Sequence, residues 1–358
     1  MDLELKSGEN SPNLDSEDFI SGPAKEICTI IAIIIGVLVL LVLTRLIILG
    51  PYYRKKNRID GKVVIITGCN VGIGKETALE LAKRGGRIYM ACRDPVKCEA
   101  ARLEIVEKTN NQNVFNRTLD LASLESIKKF ADKFLEEEPR LDILINNAGI
   151  MAAPKGYTKD GFEQQFGVNH LGHFYLTNLL LDRIKESAPS RIVVVSSLMY
   201  LFGNINKGDI QSEKSYSRFG AYAQSKVANI LFTKTLSKML AGTGVTVNCL
   251  HPGCVKTQLV RHVVHKKLNA IVNPFLAFFF KSPKAGAQTS IRLALDPALS
   301  ETSGGFFMDC LFKLPVLPKA RDPQMAEWLW KFSAELSGLK KNSNEETVVI
   351  DLTKANGA

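Results

Sequence analysis

From Gly61 onward, short β-branched runs alternate with longer segments of helical period. The runs are Lys62 to Thr67, Arg87 to Cys92, Val114 to Leu119, Asp142 to Ile145, Arg191 to Ser196 and Val245 to Leu250. Alternating strands and helices close into a parallel sheet with helices on both faces. The runs are nearly all apolar, as strands buried on both sides must be. We therefore expect an α/β fold, a doubly wound parallel sheet, in one domain over residues 61–338.

Residues 27–49, ICTIIAIIIGVLVLLVLTRLIIL, form an apolar run broken only by Thr29, Thr44 and Arg45. At about 1.5 Å per residue it is long enough to cross the hydrocarbon of a bilayer, and it reads as a transmembrane helix. The tail before it, residues 1–26, carries Glu4, Glu9, Asp15, Glu17 and Asp18, which fits neither a cleaved signal peptide nor a mitochondrial transit peptide. The basic linker of residues 50–60 holds Arg54, Lys55, Lys56 and Arg58. By the positive-inside rule, everything after residue 50 is expected in the cytosol, with the endoplasmic reticulum the favoured membrane. Residues 339–358 read as a polar C-terminal tail.

The formal net charge of +10 invites comparison with nucleic-acid binders. Its basic residues are dispersed among acids except in the linker and in Arg261 to Lys267, each beside an apolar stretch. Lipid headgroups explain those clusters better than nucleic acid does. Seven cysteines without Cys-x-x-Cys spacing read as reduced thiols, and His170 with His173 lacks further ligands in reach, so no metal site is expected.

The first strand ends in Thr67-Gly68-Cys69-Asn70-Val71-Gly72-Ile73-Gly74 and runs into a helix. Glycines there permit a tight turn and a close approach of backbone to a pyrophosphate, which would rest on the helix amino end. This is a dinucleotide loop in a Rossmann-type sheet. At the end of the second strand, Cys92 stands where a carboxylate would bind the ribose of NAD, and Arg93 follows with a fork suited to phosphate. NADP(H) is thus expected over NAD(H). Asp94 could reach a ribose or cap the next helix, and Asp120 could accept from the adenine amine or begin the following helix.

Two Tyr-x-x-x-Lys pairs occur, Tyr52 with Lys56 and Tyr222 with Lys226. A phenol of pKa about 10 needs a nearby cation to act as a general base, and one helical turn supplies it. The first pair sits in the linker with no chemistry around it. The second follows Ser197, at the end of the fifth strand, by 25 residues, so one crossover can bring both side chains to a carbonyl. Asn146-Asn147-Ala148-Gly149 is small and polar where the fourth strand should meet a ligand.

Together these motifs resemble the short-chain dehydrogenase/reductase family, from Gly61 to about Trp330, and within it the membrane-anchored retinol dehydrogenases. The likeness lies in the Thr67 to Gly74 loop, Asn146 to Gly149, Asn169 within Val168 to Phe174, Ser197, Tyr222, Lys226, and Pro252-Gly253 with Thr257. Ala91 to Asp94, Ser303 to Cys310 and the anchor carry the narrower likeness. Cys69 departs from the alanine usual in that branch.

The resemblance implies an NADP(H)-dependent oxidoreductase interconverting an apolar alcohol, foremost retinol, with its aldehyde or ketone. Tyr222 would be general acid and base, Lys226 would lower its pKa and hold the nicotinamide ribose, Ser197 would bind the carbonyl oxygen, and Asn169 would fix a relay water. Cofactor contacts would come from Thr67, Gly68, Asn70, Gly72, Ile73, Gly74, Arg93, Asp120, Asn147, Ala148, Gly149, Pro252, Gly253 and Thr257. Residues 273–280, rich in phenylalanine, would form a substrate lid touching the membrane, and a homodimer is compatible with the family. A sterol or lipid-aldehyde reductase is the nearest alternative. An NADP-sensing scaffold would not need the intact Asn169, Ser197, Tyr222 and Lys226 set, and a lipid or retinoid carrier would not need the phosphate loop or Arg93.

Overall fold

The computed structural model describes residues 22–256 and 278–339. Two compact units divide between Ile48 and Leu49. The first contains helix α1 (Gly22–Leu49), of which Lys25–Leu49, 25 residues, is long and apolar enough to cross a membrane. Its two hydroxyls are satisfied within the helix, Thr29 donating to the Lys25 carbonyl and Thr44 to that of Leu40, both at 2.8 Å.

In the second unit β1 (Val63–Thr67), α2 (Gly72–Lys83), β2 (Arg87–Cys92), α3 (Pro95–Thr109), β3 (Val114–Thr118), α4 (Leu124–Glu137) and β4 (Ile143–Asn146) follow in turn. After α5 (Gln164–Phe166) a π-helical turn, Gly167–Leu171, leads into α6 (Gly172–Leu179) and α7 (Leu181–Glu186). Then come β5 (Ser190–Val195), a 3₁₀ turn at Leu198–Phe202, α8 (Arg218–Met239), β6 (Val245–His251), α9 (Pro283–Leu295), β7 (Phe306–Met308), β8 (Phe312–Leu314) and α10 (Pro323–Leu336). The sheet order is β3-β2-β1-β4-β5-β6-β7-β8, parallel throughout except for the antiparallel β7 and β8 pair. Those last two strands went unread in the sequence, because three residues each carry no periodicity to detect.

Strand side chains alternate between two cores, which is why the runs read as continuously apolar. Val63, Ile65 and Tyr89 face the layer with Phe130, Phe134, Phe174 and Leu231, while Val64, Ile66, Ile88 and Met90 face Leu81, Ile105 and Ile291. The basic linker lies against this unit. Arg84 donates to the carbonyls of Lys55 and Asn57, Lys55 pairs with Asp296 at 2.7 Å, and the Tyr53 amide donates to Gln288.

Asp142, 2% exposed, holds the start of the sheet. It accepts from the Val63 amide, Lys62 and Arg140, each at 2.8 Å. Burial pushes its pKa up, but Arg140, Lys62 and that amide outweigh burial and hold the carboxyl below the usual range. Asp142→Ala should therefore cost about 3 kcal/mol, as for a buried ion pair stripped of one partner, measured by chemical denaturation followed through Trp328 and Trp330.

Candidate active site

Strand order reverses between β1 and β4, so their carboxyl ends diverge and open a crevice. The Thr67 hydroxyl bridges the divergence, accepting from the amides of Asn147 and Ala148, each at 2.9 Å. Asn147 returns the tie through Nδ2, to the carbonyls of Thr67 at 2.8 Å and Gly68 at 3.2 Å. Gly68 and Gly72 adopt left-handed φ of 64° and 63°, which favour glycine. A Cβ on Gly68 would stand 2.8 Å from Ala148, and one on Gly74 would stand 2.6 Å from the Gly68 carbonyl, so only glycine lets strand, loop and helix close up.

The loop fits a dinucleotide by a further observation. Helices α3, α4, α8, α9 and α10 begin with Asp94, Ser123, Ser217, Ser282 and Asp322, whose side chains accept from their own first-turn amides. Helix α2 begins with Val71, which offers no side-chain cap. Its amino-end N–H groups are thus left for an anion such as a pyrophosphate. Asn70 and Ile73 are half-buried in the same loop.

At the end of β2, Cys92 is buried with its sulfur 3.8 Å from that of Cys69, and no carboxylate occupies the position. Arg93 is exposed and makes no ion pair among the described residues. Asp94 caps α3 through the Lys97 amide at 3.1 Å and pairs with the Lys97 ammonium at 2.8 Å. Asp120 accepts from the Ala122 amide at 3.1 Å and faces Lys159 at 3.6 Å, in the turn before α4.

The proton-handling residues converge at the ends of β4 and β5. Ser197 follows β5, accepts from the Met199 amide at 3.1 Å and lies near enough to Tyr222 on α8 to pull its pKa down. Lys226 lies one turn further on, its Nζ 5.4 Å from the Tyr222 ring centre and donating to the Val195 carbonyl at 3.1 Å. Both side chains are deeply buried. Burial pushes the Tyr222 phenol up to about 12, against the pull of Ser197, and burial alone brings the Lys226 ammonium down to about 8. Thus burial, rather than the neighbouring ammonium, sets the phenol's pKa here. The other pair found by spacing, Tyr52 and Lys56, is exposed.

Asn169 stands in the π-helical turn, fully buried, and its side chain grips Ile150 at both ends. Oδ1 accepts from the Ile150 amide at 2.8 Å, and Nδ2 donates to the Ile150 carbonyl at 2.9 Å and to Ser225 at 3.0 Å. Ser225 in turn donates to the Tyr222 carbonyl at 2.7 Å. Gly149 fits between, where a Cβ would lie 3.2 Å from Asn169 Oδ1 and 3.8 Å from Lys226 Nζ. Pro252 and Gly253 follow β6, and Gly253, at φ 87°, packs against Lys281, which pairs with Asp309. Thr257, the Arg261 to Lys267 cluster and residues 273–277 lie outside the described residues. Sequence reasoning missed Ser225 and His173, whose only signal was position, beside Tyr222 and one turn beyond Asn169.

A sequence profile described as short chain dehydrogenase matches residues 62–268. Human retinol dehydrogenase 13 is 52% identical over 301 residues, covering 83% of this chain and 91% of that protein. Human retinol dehydrogenase 12 is 51% identical over 291 residues, covering 81% and 91%. Among solved structures, an uncharacterized protein from Mycobacterium paratuberculosis is 36% identical with a TM-score of 0.65, covering 81% of this chain and 98% of that one. Pseudomonas aeruginosa RhlG, solved as an NADP active-site complex, is 25% identical with a TM-score of 0.58, covering 73% and 100%. The chain belongs to the short chain dehydrogenase family, in its retinol dehydrogenase-like branch, and is a nicotinamide-dependent oxidoreductase acting on CH–OH groups.

Proposed function

We propose that the protein interconverts retinol and retinaldehyde, or a close apolar relative, with NADP(H) preferred over NAD(H) and reduction as the favoured direction. The observation that carries this reading is the buried Tyr222 and Lys226 pair beside Ser197 at the carboxyl edge of the sheet, in a chain half identical to named retinol dehydrogenases. An apolar substrate is supported by Phe202 and Phe219, 76% and 48% exposed, which flank Ser197 and Tyr222 along the chain. The preference for a 2′-phosphate is supported by buried Cys92, by exposed Arg93, which makes no ion pair among the described residues, and by the engagement of Asp94 with Lys97.

The cofactor supplies or accepts hydride at the nicotinamide. Tyr222, neutral over the physiological range, donates its proton to the substrate oxygen in reduction and recovers it in oxidation. Ser197 donates a hydrogen bond to that oxygen as charge develops. Lys226 holds its ammonium beside the Tyr222 ring, where it also suits the nicotinamide ribose. Asn169, its side chain committed to Ile150 and Ser225, keeps α8 and the end of β4 in register. The glycine loop, Asn147 to Gly149 and Pro252-Gly253 would hold the cofactor, and the family resemblance adds Thr257. The catalytic domain spans residues 61–338 and faces the cytosol on an endoplasmic reticulum membrane, as the basic linker supports.

Full-length protein in lipid nanodiscs tests the reading with retinaldehyde, steroid ketones and lipid aldehydes, each with NADPH and NADH. Retinaldehyde reduction by NADPH should dominate. Tyr222→Phe should cut kcat about 10²- to 10⁴-fold, the range for losing a general acid, with NADPH affinity nearly unchanged. Turnover that survives the substitution would overturn the assignment. Arg93→Ala should raise KM for NADPH far more than for NADH, and equal effects on both would remove the NADP preference.

Lys226 titrates near 8 folded against 10.5 ordinarily. Between those values the unfolded chain carries the extra proton, so stability from this group rises with pH. Tyr222, raised to about 12, works oppositely above about 10, where the unfolded phenol ionises first. Thermal midpoints should therefore climb between about pH 8 and 10, and Lys226→Met should flatten that climb.

A further inference from the structure

We propose that His173 is a positioning residue, whose ring in the Nδ1–H tautomer couples the backbone of Asn169 to the Thr67 hydroxyl and so fixes the proton-transfer machinery against the cofactor edge. This deepens the reading of Asn169 and Tyr222 above and rests on it. His173 lies on α6, one turn beyond the π-helical segment that carries Asn169, and is 2% exposed. Its Nδ1 is 3.0 Å from the Asn169 carbonyl, and its Nε2 is 2.9 Å from Thr67 Oγ1.

The chemistry of the partners fixes the protons. A carbonyl oxygen only accepts, so Nδ1 must carry hydrogen. Burial holds the ring's pKa down to about 4, against the Asn169 hydrogen bond and with help from the Lys226 charge, so the ring is neutral and Nε2 is a bare acceptor. The Thr67 hydroxyl must then donate to Nε2. It has two acceptor positions left, and these receive the Asn147 and Ala148 amides at 2.9 Å. The other acceptor near the Thr67 hydroxyl, the Ile145 carbonyl, is farther away at 3.5 Å, so donation to Nε2 at 2.9 Å is the shorter choice and leaves no buried ring nitrogen unpaired.

The two ends of this chain are functional. One is the Thr67 knot, which closes the β1 and β4 ends beneath the glycine loop. The other is the residue whose side chain grips Ile150 and, through Ser225, the backbone of Tyr222. Among the described residues His173 is the side chain that bonds to both. The turn it steadies is widened, with the Gly172 amide reaching back five residues to the Gly167 carbonyl, so it lacks the self-registration of an ordinary α-helix.

The test compares His173→Phe, Thr67→Val and the double variant in full-length protein in lipid nanodiscs, with NADPH and retinaldehyde. Each single change should lower kcat about 10- to 100-fold, the scale for buried polar partners left unpaired, with little change in KM for the aldehyde. Because both break one chain, the double variant should be no slower than the worse single. Losses that multiply would overturn the proposal, as would a lowered melting temperature with unchanged kcat per folded molecule. Nitrogen-15 spectra of the histidines, assigned by loss of one signal in His173→Gln, should show Nδ1–H in the wild type. A spectrum showing Nε2–H would overturn it even if His173→Phe fails to fold. If the wild type reduced no carbonyl, the proposed function would fall, while the tautomer and the non-additivity of melting temperatures would still decide the coupling.

Discussion

Everything in the catalytic domain depends on burying both faces of one sheet while leaving its carboxyl edge open. The apolar demand is met by helices on either side, and period-2 alternation sends successive residues such as Ile65 and Ile66 into different cores. The edge cannot be covered in the same way, because strand order reverses between β1 and β4. Polar groups freed by that divergence must find partners, and Thr67 with Asn147 supplies them. The crevice is therefore a consequence of topology, and its polar lining is a consequence of satisfying backbone at a place where ladder pairing stops.

Burial is also what distinguishes the chemistry of Tyr222 and Lys226 from that of any phenol and ammonium one turn apart. Water is excluded from both, so charge on either is costly. The phenol stays protonated and the ammonium is easily discharged. A site built this way keeps a neutral donor that parts with its proton only to an oxygen on which negative charge develops, with a cation beside it that burial has made easier to discharge. Stability is given up locally in this arrangement, and the surrounding hydrogen bonds to Val195 and Ser225 hold the groups in place.

Much of this was legible in the residues. The β-branched runs located six strands because burial on two faces leaves no polar interruptions, and glycine spacing identified the loop because Gly68 and Gly72 require conformations other residues resist. Tyr222 was separable from Tyr52 by its place after a strand. The short strands β7 and β8 were not legible, having too few residues for a pattern. Neither was His173, since a buried histidine announces nothing until its two partners, 106 and four residues away, are brought to its ring. The role of Asp94 was open in the sequence because a cap and a ribose ligand need the same side chain, and the structure shows it capping α3 and paired with Lys97. The direction of the Tyr222 pKa was beyond reach for a similar reason, as it depends on how completely α8 is packed.

The apolar start of α2 has a thermodynamic meaning of its own. A helix whose first residue cannot satisfy its own amides is an unfinished element, completed by whatever anion settles there. The dinucleotide is then a structural component of the fold as well as a reagent, and its binding free energy adds to that of folding by mass action. The folded enzyme would be stabilised by its cofactor in this way through a single valine, where the neighbouring helices have aspartate or serine.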